Sequence, residues 1–177
     1  MKERRPIVIT GFMGCGKSKI ALALAQRRKV AVVDLDETIT AQEGRTPAEL
    51  ITQDGEAAFR TIETRVLRQV FESGADGIIA LGGGAWIQQA NRDLCDQHHG
   101  VSVWLDLPFS VCWERISSST EDRPLGKTRE QSHALYDRRK PIYELAKVHV
   151  AITDDDPIDH LITRIEAALD QVLESSQ

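Results

Sequence analysis

The stretch Gly11-Phe12-Met13-Gly14-Cys15-Gly16-Lys17-Ser18 decides how this chain reads. It satisfies the pattern G-x-x-x-x-G-K-[ST] at every fixed position. Ile7 to Thr10, just before it, form a short apolar run of strand type. Lys17 to about Arg28, just after it, read as a helix. Strand, glycine-rich turn and helix together give the pattern its meaning. Glycines let a backbone fold into a nest whose N–H groups face phosphate oxygens. A new helix adds its positive dipole end and unpaired N–H groups. On this reading Gly11, Gly14, Cys15, Gly16 and Lys17 cradle phosphates, and Ser18 ligates Mg²⁺.

Working outward, short Val- and Ile-rich runs alternate with helical patterns, the signature of a parallel α/β sheet. The expected core strands lie near 7–10, 30–34, 77–81, 101–105 and 148–152, each apolar on both faces. A helix carries Phe59, Ile62, Val66 and Val70 and stops at Gly74. Others are expected near Asn91–His98 and Phe109–Ile116, and from Thr128, with Gln131 as partner in a capping box. Asp156-Pro157 reads as the N-cap and first position of the last helix. With no repeat or linker, residues 1–177 read as a single domain.

Composition sets limits. The 177 residues are 41% hydrophobic and 28% charged, with net charge −5, an ordinary globular balance with no general nucleic-acid-binding surface. No apolar run reaches the roughly 18 residues a membrane span needs, and no signal peptide is evident. Cys15, Cys95 and Cys112 are odd in number and widely spaced, which argues against disulfides or zinc and for a reducing cytosol. The expectation is a cytoplasmic monomer without nucleic-acid or membrane partners. No guanine-reading N-K-x-D is present, and the chain is short for a motor. A compact small-molecule kinase remains.

Three further clusters bear on chemistry. Asp34-Leu35-Asp36 follows the second strand, and strand carboxyl ends face the ligand crevice. Period-two alternation puts both aspartates on one side, as a metal support and a partner for substrate hydroxyls, or as solvated loop residues. Gly82-Gly83-Gly84 suggests close backbone approach to a ligand, or a flexible loop. Arg60, with Glu63 at i+3, is an anchored cation or a surface pair. The run from Arg123 to Lys140 is basic in an acidic protein, and the polar stretch before it reads as a mobile loop able to close over phosphates, or as a solvated face.

Taken in order, these residues resemble shikimate kinase, within the nucleoside-monophosphate-kinase-like P-loop fold. The resemblance rests on G-F-M-G-C-G-K-S, D-L-D at 34–36, and Asp54-Gly55-Glu56-Ala57-Ala58-Phe59-Arg60-Thr61-Ile62-Glu63. It continues in Leu81-Gly82-Gly83-Gly84-Ala85, Arg123-Pro124-Leu125 and Arg139-Lys140-Pro141-Ile142-Tyr143. It implies a three-layer fold with a five-stranded parallel sheet, substrate-binding helices about 35–63 and a short lid about 117–128. It implies ATP and Mg²⁺, and transfer to the 3-hydroxyl of shikimate, a step toward aromatic amino acids. Lys17, Asp36 and Arg123 would then be catalytic, and Lys19, Arg115 and Arg123 would join the nucleotide contacts. Ser18 and Asp34 would serve the metal. Asp36, Phe59, Arg60, Gly82, Gly83, Gly84 and Arg139 would bind the substrate, the two arginines clamping its carboxylate.

The chain also has its own features. The lid is trimmed relative to the family, and Pro47 and Ile51 stand where relatives often carry other apolar residues. Asp154-Asp155-Asp156 fills the loop where relatives contact adenine. Cys15, beside a helix N-terminus and Lys17, is either in a setting that favours thiolate or an inert small residue of the loop. A related hydroxy-acid kinase acting on, for example, gluconate is one alternative. A nucleotide-binding regulatory module without turnover is another.

Overall fold

The computed structural model describes residues 5–74, 76–120 and 124–175. Five parallel strands form one sheet: β1 (Ile7–Thr10), β2 (Val32–Asp34), β3 (Ile78–Ala80), β4 (Val101–Asp106) and β5 (Val148–Ala151). Their order is β2-β3-β1-β4-β5, so β1 is central and pairs with β3 and β4. Every residue of β1 and β3 is buried, which explains their unbroken apolar runs.

The two edges depart from the expectation of apolar strands covered on both faces. β2 is partly exposed along its length, with Val32 at 36%. β5 alternates, with Val148 and Val150 buried and His149 and Ala151 exposed. An edge strand has a neighbour on one side only, so its outer residues reach solvent.

Eight α-helices surround the sheet among the described residues. α1 (Lys17–Arg28) packs on β3 and β2 and on α8 (Ile158–Ser175), which in turn meets β5. α4 (Glu56–Glu72) packs on α5 (Gln89–Gln97), which meets β4. α4 ends as read from sequence, with Gly74 at φ 75° donating to Phe71 O. α6 (Phe109–Ser118) leads into the segment expected from sequence to form a lid, and α7 (Arg129–Tyr143) follows that segment. Thr128 and Gln131 form the expected capping box at the start of α7.

The stretch after β2 folds into two short helices, α2 (Leu35–Glu43) and α3 (Pro47–Asp54). Asp34 ends β2 and caps α2, its Oδ1 accepting from the N–H groups of Asp36 and Glu37. The expected alternation through Asp34-Leu35-Asp36 therefore stops at Asp34. Leu35 turns into the core and Asp36 sits in the first helical turn. α3 opens on a Thr46–Glu49 capping box with Pro47 at the helix start. At α8 the expected Asp156 cap is absent. Asp156 Oδ2 accepts from Thr153 N at 2.8 Å and Oδ1 from Arg164 at 3.1 Å, while Pro157 O receives Leu161 N. Pulled back into its own loop, Asp156 leaves the helix to open at Ile158.

Candidate active site

The loop between β1 and α1 carries the phosphate-binding features. Gly14 and Gly16 have φ of 79° and 90°, a backbone state that favours glycine, and Gly16 stands at the N-cap of α1. Ile20 N is the first helical donor, reaching Gly16 O at 3.0 Å, so the N–H groups of Lys17, Ser18 and Lys19 have no intrahelical acceptor. These are the donors an anion would use. The Lys19 side chain is exposed and lines a groove with residues of α1 and α8, so only its main chain belongs to this cradle. Lys17 Nζ arches back over the loop and donates to Gly11 O at 3.0 Å and Phe12 O at 2.9 Å. Gly11 lies against Cys15 Sγ and Leu105 O, where a methyl group would strike both at 2.8 Å.

Of the two readings of Cys15, the structure favours the inert one. It is buried at 1% exposure, and burial pushes its thiol above the ordinary range against the pull of Lys17 and Arg115. Desolvation outweighs the helix terminus because no water reaches the sulfur.

Ser18 Oγ donates to Asp34 Oδ2 at 2.5 Å, joining the first turn of α1 to the end of β2. This hydroxyl and carboxylate are hard oxygen donors, the type that suits Mg²⁺, which commonly uses one or two protein oxygens beside substrate phosphates. On the far side of the loop, Arg115 Nη1 donates to Gly14 O at 3.1 Å. Its Nε and Nη2 both reach Asp154 Oδ1, at 3.1 and 2.6 Å. The aspartate-rich loop after β5 is thus tied to the phosphate loop through one arginine.

A cavity of about 510 Å³ opens beside this loop. Asp36, Phe59, Arg60, Gly82, Gly83, Gly84 and Arg139, drawn from four separate parts of the chain, all line it. Pro47 and Ile51 form part of its wall, as do Pro124 and Leu125 from the segment expected to form a lid. Glu63 lines it too, and sequence reasoning missed Met13, Thr46 and Ala48, which complete the wall. Their signal was weak, since a pocket-facing small or apolar side chain looks like any other. Arg123 lies outside the described residues, so its catalytic and nucleotide-contacting roles stay as expected from sequence.

The glycines set the distances. A methyl group on Gly82 would meet Asp36 Oδ1 at 2.7 Å, and one on Gly84 would enter the Arg60 guanidinium. Arg60 is held by Glu63 at 3.0 and 2.9 Å from Nη1, and by Glu56 through Nε and Nη2. Glu63 is buried, and desolvation lifts its carboxyl from 4.5 to about 7, with Arg60 opposing and Asp36 adding to the rise. Arg139 is 6% exposed and donates to Gly83 O at 3.3 Å. The cavity thus joins two arginines, one acid from α2 and a glycine backbone, next to a phosphate cradle. Such a set can hold an anionic, hydroxylated small molecule beside a nucleotide.

The chain is similar to known proteins along most of its length. The family model described as shikimate kinase matches residues 13–170. A shikimate kinase of Ruegeria pomeroyi is 38% identical over 168 residues, covering 93% of this chain and 85% of the relative. The solved shikimate kinase of Acinetobacter baumannii in complex with shikimate superposes with a TM-score of 0.85 at 29% identity, covering 97% and 94% of the two chains. That of Bacteroides thetaiotaomicron gives 0.83 at 28%, covering 94% and 98%. A family model spanning nearly the whole length and a relative so similar along it leave one assignment: this chain belongs to the shikimate kinase family.

Proposed function

We propose that the protein transfers the γ-phosphoryl group of ATP to the 3-hydroxyl of shikimate, giving shikimate 3-phosphate on the route to aromatic amino acids. One observation carries the reading. Arg60 and Arg139 share a cavity with Asp36 and the Gly82–Gly84 backbone, immediately beside the phosphate loop. Two guanidinium groups suit a carboxylate, and Asp36 supplies an acceptor for hydroxyl protons. Residues 13–170 match the shikimate kinase model as one unit, which supports reading the chain as a single kinase domain.

Phosphoryl transfer asks a protein mainly to position two reactants and to spread developing charge. Lys17 moves from the loop carbonyls to the phosphates, exchanging two neutral acceptors for anionic ones. The first-turn N–H groups of α1 hold the phosphate oxygens. Asp36 orients the attacking hydroxyl and takes its proton. Arg123, in the role the family resemblance implies, would offset charge on the group in transit. Ser18 and Asp34 would hold Mg²⁺, whose charge neutralises the β- and γ-phosphates when bound.

The test is coupled ADP release with shikimate, with gluconate and with no acceptor. Turnover that needs shikimate is the expected result. Turnover with gluconate alone would assign a different hydroxy acid, and ATP binding without turnover would leave a regulatory module.

A further inference from the structure

The carbonyls of the glycine loop are tied down from behind. Tyr143 OH and Arg139 Nη1 both donate to Gly83 O. Ala85 N takes Gly82 O, and Ile87 N takes Gly84 O. Asn91 Nδ2 donates to Ala85 O at 2.8 Å, and Arg92 Nη1 to the two carbonyls that follow. Every carbonyl from Gly82 to Ile87 thus has a donor, whereas no acceptor among the described residues takes the N–H of Gly82, Gly83 or Gly84. These three glycines line the cavity.

A trans peptide is planar, so its C=O and the following N–H point in opposite directions. Pulling Gly83 O toward α7 therefore turns the Gly84 N–H the other way. A glycine run has no side chains to define that orientation and many backbone states open to it. Something outside the loop must select one.

We propose that the Tyr143 hydroxyl is a positioning residue for substrate binding: by holding Gly83 O with Arg139, it fixes the glycine loop so that its N–H groups serve the substrate. Tyr143 is 1% exposed and does not line the cavity, so it acts through the loop and not by touching substrate. Its phenol is pushed well above the ordinary range by burial, which keeps it a donor at every working pH. The end of α7 is itself braced, since Trp86 Nε1 donates to Ile142 O at 3.1 Å. Loop and helix end hold each other.

This inference rests on the proposed shikimate activity, and the experiment separates the two. Tyr143→Phe keeps ring and volume, and Gly83 O keeps Arg139 as a donor, so the fold should survive. Expected is a rise in the KM for shikimate of about 5- to 10-fold, near the net worth of one hydrogen bond. The KM for ATP should stay within about twofold. The second arm needs no substrate: ¹⁵N relaxation dispersion on Gly83, Gly84 and Ala85 amides should show new exchange in the variant only. Unchanged KM for shikimate with quiet loop amides overturns the proposal, as does an equal rise in both KM values. If wild type fails to phosphorylate shikimate, the activity reading falls, and the loop amides alone decide the role of Tyr143.

Discussion

Arg60 Nη1 donates to both carboxylate oxygens of Glu63, at 3.0 and 2.9 Å, three residues apart on α4. Glu63 is buried, while the Arg60 side chain retains 12% exposure on the cavity side. The carboxylate holds the guanidinium from within, and the fork's outer edge meets the exposed Glu56. A substrate carboxylate arriving at Arg60 therefore meets a cation already aimed and partly neutralised. The pairing fixes direction at the expense of charge.

Burial raises the Glu63 carboxyl from 4.5 to about 7, which makes stability depend on pH with a definite sign. Between those values the folded state binds more protons than the unfolded one, so stability falls as pH rises. Urea unfolding midpoints of wild type should decline from about pH 4.5 to about 7 relative to Glu63→Gln, which lacks the titration. A difference between the two proteins that stays constant across that interval would refute the shift.

Lys17→Ala should reduce turnover by about 10²- to 10³-fold or more, the usual loss when a charge-stabilising donor is removed. The far-ultraviolet circular dichroism should not change, because Lys17 is only part-buried and its two acceptors are loop carbonyls outside every helix and strand. A folded variant with near-normal turnover would end the assignment of Lys17 to the reaction.

Gly84→Ala places a methyl group inside the Arg60 guanidinium. Arg60 must then move off the line set by Glu63. The KM for shikimate should rise by about tenfold or more, with ATP affinity intact, since the nearest atoms struck all belong to Arg60. Binding titrations with ADP and with shikimate check the split.

Asp154→Ala frees the arginine that spans Asp154 and Gly14 O. The pair is exposed, so its worth is modest and screened by salt. A two- to fivefold rise in the KM for ATP is expected at low ionic strength, shrinking in 0.5 M salt, with shikimate unaffected. An effect that ignores salt would point to loop packing instead of charge.

The phosphate loop was legible because local chemistry alone dictates it: strand, glycines, Lys17 and Ser18 follow one another in twelve residues, 7–18. The central strands were legible because burial on both faces makes them continuously apolar. The edges misled, since β5 shows solvent through His149 and Ala151. Asp34-Leu35-Asp36 misled for another reason. An aspartate after a strand serves equally as a loop acid and as an N-cap, and only the tertiary position of α2 chooses. Cys15 stays open between activated and inert on sequence alone, because sequence reveals its charged neighbours but not the packing that excludes water. The link from Tyr143 to Gly83 spans 60 positions and has no local signature at all.

The sharpest test of the substrate pocket uses Arg139. It is nearly buried, donates to Gly83 O, and faces the cavity shared with Arg60. If the two arginines clamp a carboxylate, each should matter for the acid and not for ATP. Removing one partner of a desolvated charge pair costs about 2–5 kcal/mol. At about 1.4 kcal/mol per decade, Arg139→Ala should raise the KM for shikimate about 30-fold or more. Lysine should restore only part, since it cannot offer a planar two-point contact. Methyl shikimate lacks the charge. It should be a poor substrate for wild type and should lose much less from the mutation. The measurement is a two-by-two comparison of acid and ester on wild type and Arg139→Ala. A penalty confined to the acid places the carboxylate at Arg139. An equal penalty on acid and ester would remove the clamp and leave Arg139 as a brace for Gly83, in which case Arg139→Ala should match Tyr143→Phe in its effect on the loop amides.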